Sequence, residues 1–121
     1  DVPDKALHLA RSDHMVLRKR LTYHVLGIKT YEKKDLATYQ SCRFGKWYYG
    51  TDSENDRAHH MFKNIESYHK DAHATAERIF DLYQSSKTEE ALQQLPEVTT
   101  KVDALLDLCL AYRKQKSGAQ V

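Results

Sequence analysis

The stretch that decides the fold is Leu7-His8-Leu9-Ala10-Arg11-Ser12-Asp13-His14-Met15-Val16-Leu17-Arg18-Lys19-Arg20-Leu21-Thr22-Tyr23-His24. Within it Leu7, Ala10, His14, Leu17, Leu21 and His24 recur at alternating steps of three and four, and Ile28 extends the series. That is the period of one helix face, not the period of two of a half-buried strand. It predicts a helix from about Asp4 to about Leu26, ended near Gly27. Arg11, Arg18, Lys19 and Arg20 fall mostly on the other face. Two of the seven seam positions are histidine, which a plain apolar core does not favour.

The same period returns downstream. Phe62, Ile65, His69, Ala72, His73, Ala76, Phe80 and Tyr83 form one stripe of a long helix ending near Ser85, with Ser53 as its expected cap and Asp56 three positions on. Ser86-Lys87-Thr88-Glu89 reads as a capping box for another helix, in which Pro96 is expected either to kink the chain or to restart it. Val98, Val102, Leu105, Cys109 and Tyr112 continue that seam. Between the first two long helices, Asp35 is expected to cap a short helix running to Arg43, with Gly45 in the left-handed position after it. The expected class is therefore all-α: a four-helix-bundle-like domain with an additional short helix/loop segment carrying Cys42. The roughly twenty residues before the third helix are long for a plain bundle connection, and loops of that size tend to be functional.

Composition narrows the function. The chain has 121 residues, 19 basic against 17 acidic side chains, and a net charge of +2. That suits one domain spanning 1–121, and it offers no clustered basic excess for nucleic acid. No apolar run approaches a membrane span, and Asp1 opens no signal-peptide pattern, so neither membrane insertion nor secretion is expected. Two cysteines are too few for a disulfide framework and fit a reducing compartment. Without an initiator Met the chain reads as excised from a larger protein, while the polar Ser117-Gly118-Ala119-Gln120-Val121 resembles a natural end.

Seven histidines are the compositional oddity. His69 and His73, four apart on a helix, can both reach one ion. His14 lies on the first helix's seam, and Cys42 sits in the aromatic-rich segment between them. Three imidazoles and one thiolate make a closed tetrahedral set of the kind structural zinc sites use. Soft sulphur with imidazole favours zinc over magnesium or calcium, and copper(I) stays open. The competing reading is that the histidine pair arises by chance and Cys42 is a small buried hydrophobe. Three buried imidazoles without partners would, however, each carry a desolvation penalty. The other residues divide differently: His24 is expected in the core or an interface, His59 and His60 in solvent, and His8 off the seam. Cys109 is expected as a core thiol, with a resolving thiol for Cys42 as the alternative. Asp13, Glu66 and Asp71 are near enough in sequence to orient imidazoles, though solvated surface acids is the simpler reading. A zinc hydrolase needs an open coordination position and a general base; His69-Lys70-Asp71-Ala72-His73 lacks the glutamate beside its first histidine that metalloproteases use, so an enzyme is not expected.

Cys42-Arg43-Phe44-Gly45-Lys46-Trp47-Tyr48-Tyr49-Gly50 resembles the signature of the bacterial chemoreceptor zinc-binding (CZB) domain: a histidine on the first helix, then Cys-x-[Leu/Phe]-Gly-x-Trp, then His-x-x-x-His on a later helix. Asp13-His14-Met15-Val16-Leu17 and His69-Lys70-Asp71-Ala72-His73 supply the flanking parts in order, and the resemblance covers nearly the whole chain. Leu17 departs from the family, which often has tryptophan there; that bears on packing rather than ligation. The resemblance implies a four-helix bundle binding one zinc ion through His14, Cys42, His69 and His73. It further implies a cytoplasmic sensory module, often a homodimer, attached to a chemoreceptor signalling domain or to a diguanylate cyclase. Such modules are associated with zinc sensing and with reaction of the zinc-bound cysteine with hypochlorous acid, which makes Cys42 the redox-reactive residue and chemotaxis the expected output. A purely structural, zinc-stapled dimerisation bundle needs the same four ligands and is the alternative.

Overall fold

The computed structural model describes residues 2–50 and 59–119, and every α-helix below is counted among them. Helix α1 spans Val2–Val25, α2 Arg43–Tyr48, α3 His60–Gln84 and α4 Thr88–Ala119, with a single 3-10 turn at Lys33–Asp35 and no strand among the described residues. The all-α, bundle-like architecture expected from the periodicity is what forms. Each long helix buries the predicted seam, because only packing of an amphipathic face stabilises such helices in water. From α1 come Ala10, His14, Leu17, Leu21 and His24; from α3, Phe62, Ile65, His69, Ala72, His73, Ala76 and Phe80; from α4, Val98, Val102, Leu105, Cys109 and Tyr112.

These side chains form two apolar clusters. One joins Ala10, the α2 residues Phe44, Trp47 and Tyr48, and Phe62, Ile65, Leu105 and Cys109. The other joins Leu17, Leu21, Val25, Leu36, Ala76, Ile79, Phe80, Ala91 and Val98. Along α1 and α3 the chain passes from the first cluster to the second, and along α4 it returns. Helices α1 and α3 therefore run the same way, and residues 26–42 form a strap that carries the chain back to the first end. This is why the connection is long. Helix α4 packs against both α1 and α3. His14, His69 and His73 fall between the two clusters in sequence order on their helices, so a polar layer divides the core.

Several ends differ from expectation. Helix α1 stops at Val25, and Gly27 adopts φ +73, a left-handed conformation that favours glycine. The chain turns away there, so Ile28 is 64% exposed instead of continuing the seam. Asp35 caps no helix to Arg43: its Oδ2 accepts from the Glu32 amide, 2.8 Å, within the 3-10 turn. Thr38 and Ser41 then hydrogen-bond each other's backbone and side chains, a local alternative to helix that such residues readily provide. The short helix begins after Cys42 instead, with Gly45 inside it at negative φ. The expected cap Ser53 and its partner Asp56 lie outside the described residues; described α3 begins at His60, and the His59 ring Nδ1 accepts from the Met61 amide, 3.1 Å. His59 is thus half-buried and used, not simply solvated. Ser86 takes φ +65 to close α3, so α4 begins at Thr88, and it continues through Pro96 without a break.

Candidate metal centre

Three elements deliver the site. Helix α1 supplies His14, α3 supplies His69 and His73 one turn apart, and Cys42 is the residue that caps α2. All four are buried, and one donor atom from each lies within 4.8 Å of every other. A tetrahedral zinc with bonds of about 2.0–2.3 Å separates its ligands by roughly 3.3–3.8 Å. The observed edges of 3.1 Å between His14 Nε2 and His73 Nε2, and 3.3 Å between Cys42 Sγ and His69 Nε2, are of that size.

The hydrogen bonds fix which ring nitrogens face inward. His14 Nδ1 lies 2.6 Å from the Ala10 carbonyl, and His73 Nδ1 lies 2.8 Å from the Ala37 carbonyl on the strap. A carbonyl only accepts, so both Nδ1 atoms carry the proton and both Nε2 atoms present lone pairs. Those lone pairs confront each other at 3.1 Å, a repulsive contact unless a cation lies between them. A proton is a poor candidate. Burial holds His14 below the usual imidazole range, and burial, with His14 adding repulsion, lowers His73 to about 4. A divalent metal with two neutral imidazole ligands removes the conflict. His69 is lowered to about 2, by burial first and then by the other two rings. Its Nδ1 is buried with no hydrogen-bond partner, so packing orients it: Phe44 and Tyr39 stand edge-to-face to the ring at 5.0 and 6.2 Å.

Cys42 is placed by α2. The Gly45 amide donates to its sulphur at 3.2 Å. Burial nevertheless pushes the thiol up to about 11, so a neutral thiol is expected at pH 7 unless a metal is bound, and a coordinating thiol is deprotonated outright. Helix α2 is locked on both sides. Asp13 of α1 accepts from the Phe44 amide at 3.0 Å and from Arg43 Nε at 2.8 Å. On the α3 side Trp47 stacks on Phe62, Tyr48 donates to the Phe62 carbonyl, and Tyr49 donates to Glu66 at 2.5 Å. Gly45 is required by contact, not by φ: a Cβ there would come within 1.9 Å of the Tyr39 carbonyl oxygen. Only a bare backbone lets the strap lie that close to α2.

The structure thus gathers His14, Cys42, His69 and His73, and no other metal-ligating cluster is found among the described residues. The acids considered as orienting groups do other work: Asp13 holds α2, Glu66 accepts from Tyr49, and Asp71 pairs with Lys101. The orienting acceptors are the backbone carbonyls of Ala10 and Ala37, which no side-chain pattern announces. His24 is a core residue, stacked on Phe80, accepting from the Tyr31 amide at 3.0 Å and bonded to Gln84 at 2.9 Å. Cys109 is a buried core thiol, while His8 and His60 are exposed.

A profile of the chemoreceptor zinc-binding domain matches residues 14–80, more than half of the chain. The chain belongs to this family. The match opens at His14 and closes at Phe80, so all four converging residues of this CZB domain lie inside it. No curated protein and no solved structure matches. The donor chemistry fits the family's metal: three imidazoles and one thiolate, with two lone pairs already converged, suit zinc. No helix among the described residues is long and apolar enough to cross a membrane.

Proposed function

We propose that this CZB domain is a cytoplasmic sensory module of a bacterial chemoreceptor, in which His14, Cys42, His69 and His73 hold one zinc ion and Cys42 reacts with hypochlorous acid to alter chemotaxis signalling. The module acts as a homodimer attached to the receptor's signalling domain. One observation carries the reading. The single sulphur sits at the junction of the strap and a six-residue helix, whereas the three imidazoles sit on long helices packed in the core. Losing the sulphur therefore frees the junction of the strap and α2, while the three imidazoles stay on long helices whose packing does not depend on it.

When bound, zinc keeps the Cys42 sulphur deprotonated at neutral pH. The thiolate sulphur attacks the chlorine of hypochlorous acid, forming an S–Cl bond and releasing hydroxide. Water then displaces chloride to give the sulfenic acid, so sulphur is oxidised by two electrons and chlorine is reduced to chloride. The sulfenic acid lacks the thiolate's charge and is a weaker ligand. Structural zinc is worth about 10–16 kcal/mol in small modules, so one ligand of four is worth a few kcal/mol, enough to bias a two-state element. Four protein ligands close the coordination shell, so a hydrolytic role is not proposed.

The test is to treat the zinc-loaded domain with sub-stoichiometric hypochlorous acid and map oxidation by mass. Cys42 should be modified first, with loss of zinc in parallel. Oxidation spread over Met15, Met61 and Cys109 while Cys42 stays intact would sink the redox reading.

A further inference from the structure

The four converging residues are not equally shielded. His14 and His69 are fully buried, whereas Cys42 and His73 keep 5% and 7% of their surface. Both of these line one cleft of about 340 Å³ between α1 and the strap, walled by Val16, Arg20, Ser41 and Arg43. Phe44 covers another side of the site, its ring against His14 at 6.0 Å and His69 at 5.0 Å. A second cleft of about 390 Å³ lies along the strap beside Lys34 and Glu77; it reaches His73 but not Cys42.

The charges on the first cleft cancel. Its cations are Arg20 and Arg43 and its anions Asp13 and Asp35. Asp13 is spent on Arg43 and the Phe44 amide, and Arg20 donates to the Asp35 carbonyl at 2.8 Å. The lining therefore holds no excess charge of one sign to select ions, which leaves size to decide passage. At roughly 30 Å³ per water the cleft has room for about eleven, so the restriction lies not in its volume but at its inner end, where Cys42 keeps only 5% of its surface.

We propose that this cleft is the route by which small reactants reach the Cys42 sulphur, and that the scant opening at its inner end excludes large ones. Its biological meaning rests on the redox reading above. Val16 is 41% exposed and belongs to neither apolar cluster, so Val16→Trp can fill the cleft without repacking the core. The probe is iodoacetamide on the zinc-loaded chain: the sulphur forms an S–C bond as iodide leaves, and mass mapping gives the rate at Cys42. Val16→Trp should slow that rate at least tenfold with zinc content unchanged, and Lys34→Trp, which fills only the second cleft, should leave it within twofold of wild type. In the wild-type chain, a pyrene-bearing maleimide should label Cys42 at least a hundredfold more slowly than iodoacetamide, each normalised to its rate on free cysteine. This comparison holds even if Val16→Trp fails to fold. The route is overturned if Val16→Trp reacts at the wild-type rate, if Lys34→Trp slows the reaction equally, if the bulky reagent keeps pace, or if Cys42 is inert to iodoacetamide. If alkylation follows the cleft while hypochlorous acid oxidises other residues first, the route stands and the redox reading alone fails.

Discussion

Gly45→Ala should remove the sulphur from the metal site without touching a candidate ligand. The added Cβ would lie 1.9 Å from the Tyr39 carbonyl oxygen and 2.9 Å from its carbon, and both neighbours are backbone, so no rotamer change relieves the clash. The strap and α2 must part by about 1.5 Å to restore an ordinary contact. Cys42 sits between Tyr39 and Gly45 and is tied to the Gly45 amide, so its sulphur moves with that separation. Metal-ligand distances tolerate only about 0.2 Å, and one ligand in four of a structural zinc site is worth roughly 3 kcal/mol, or about a hundredfold in affinity. The assay is competition for zinc against a chelator of known affinity, together with the sulphur-to-metal charge-transfer band of the cobalt-substituted domain. The variant should bind zinc about a hundredfold more weakly and lose most of that band. Gly27→Ala is the control. A Cβ there meets nothing within 4 Å, but the left-handed φ costs about 1–2 kcal/mol of stability and should leave zinc affinity unchanged. A Gly45→Ala protein with wild-type affinity and an intact band would mean that the contact with Tyr39 does not place the sulphur.

Zinc affinity should rise about tenfold per pH unit from pH 7 to 9, because each binding event expels the proton of a thiol that burial pushes up to about 11; a flat profile in the chelator competition would contradict this. In the zinc-free chain the histidines are held neutral while the unfolded chain takes up protons near 6.5, so stability should fall as pH drops below about 6.5 toward about 4. It should fall again above about 9, where the unfolded chain gives up the Cys42 proton first; urea midpoints across pH read both limbs. His24→Ala deletes the ring stacked on Phe80 and the acceptor for the Tyr31 amide, and should cost about 2–4 kcal/mol in urea unfolding while changing zinc affinity less than threefold. Asp13→Ala removes the acceptor for the Phe44 amide, and faster hydrogen exchange at that amide, with Leu21 and Ile79 amides unchanged, is the expected signature.

The helices were legible because their information is periodic. From periodicity alone, His14 is visible as a candidate ligand through its seam position between Ala10 and Leu17, and His69 and His73 because a four-residue step puts them on one face; the family pattern marks the same three. The strap was not legible in the same way. Asp35, a residue that often caps, is used instead to close a 3-10 turn, and Gly45 carries no local sign that a distant carbonyl will press on it. Both outcomes are set by how the strap packs between α1 and α3, which local propensity does not encode. Orientation of the imidazoles was equally hidden: the acceptors are the carbonyls of Ala10 and Ala37, so searching nearby Asp and Glu side chains pointed to Asp13, Glu66 and Asp71 instead. Asp13 still proved structural in a way its sequence neighbourhood did not suggest, fastening α2 to α1 from 12% exposure.

X-ray absorption at the zinc edge on the purified chain, with metal content measured on the same sample, reads the four-residue centre directly. One zinc per chain, bound by one sulphur at about 2.3 Å and three nitrogens at about 2.0–2.1 Å, is the predicted result. A spectrum without sulphur, or a chain that purifies and refolds without binding zinc, would contradict the assignment of His14, Cys42, His69 and His73 as one metal centre.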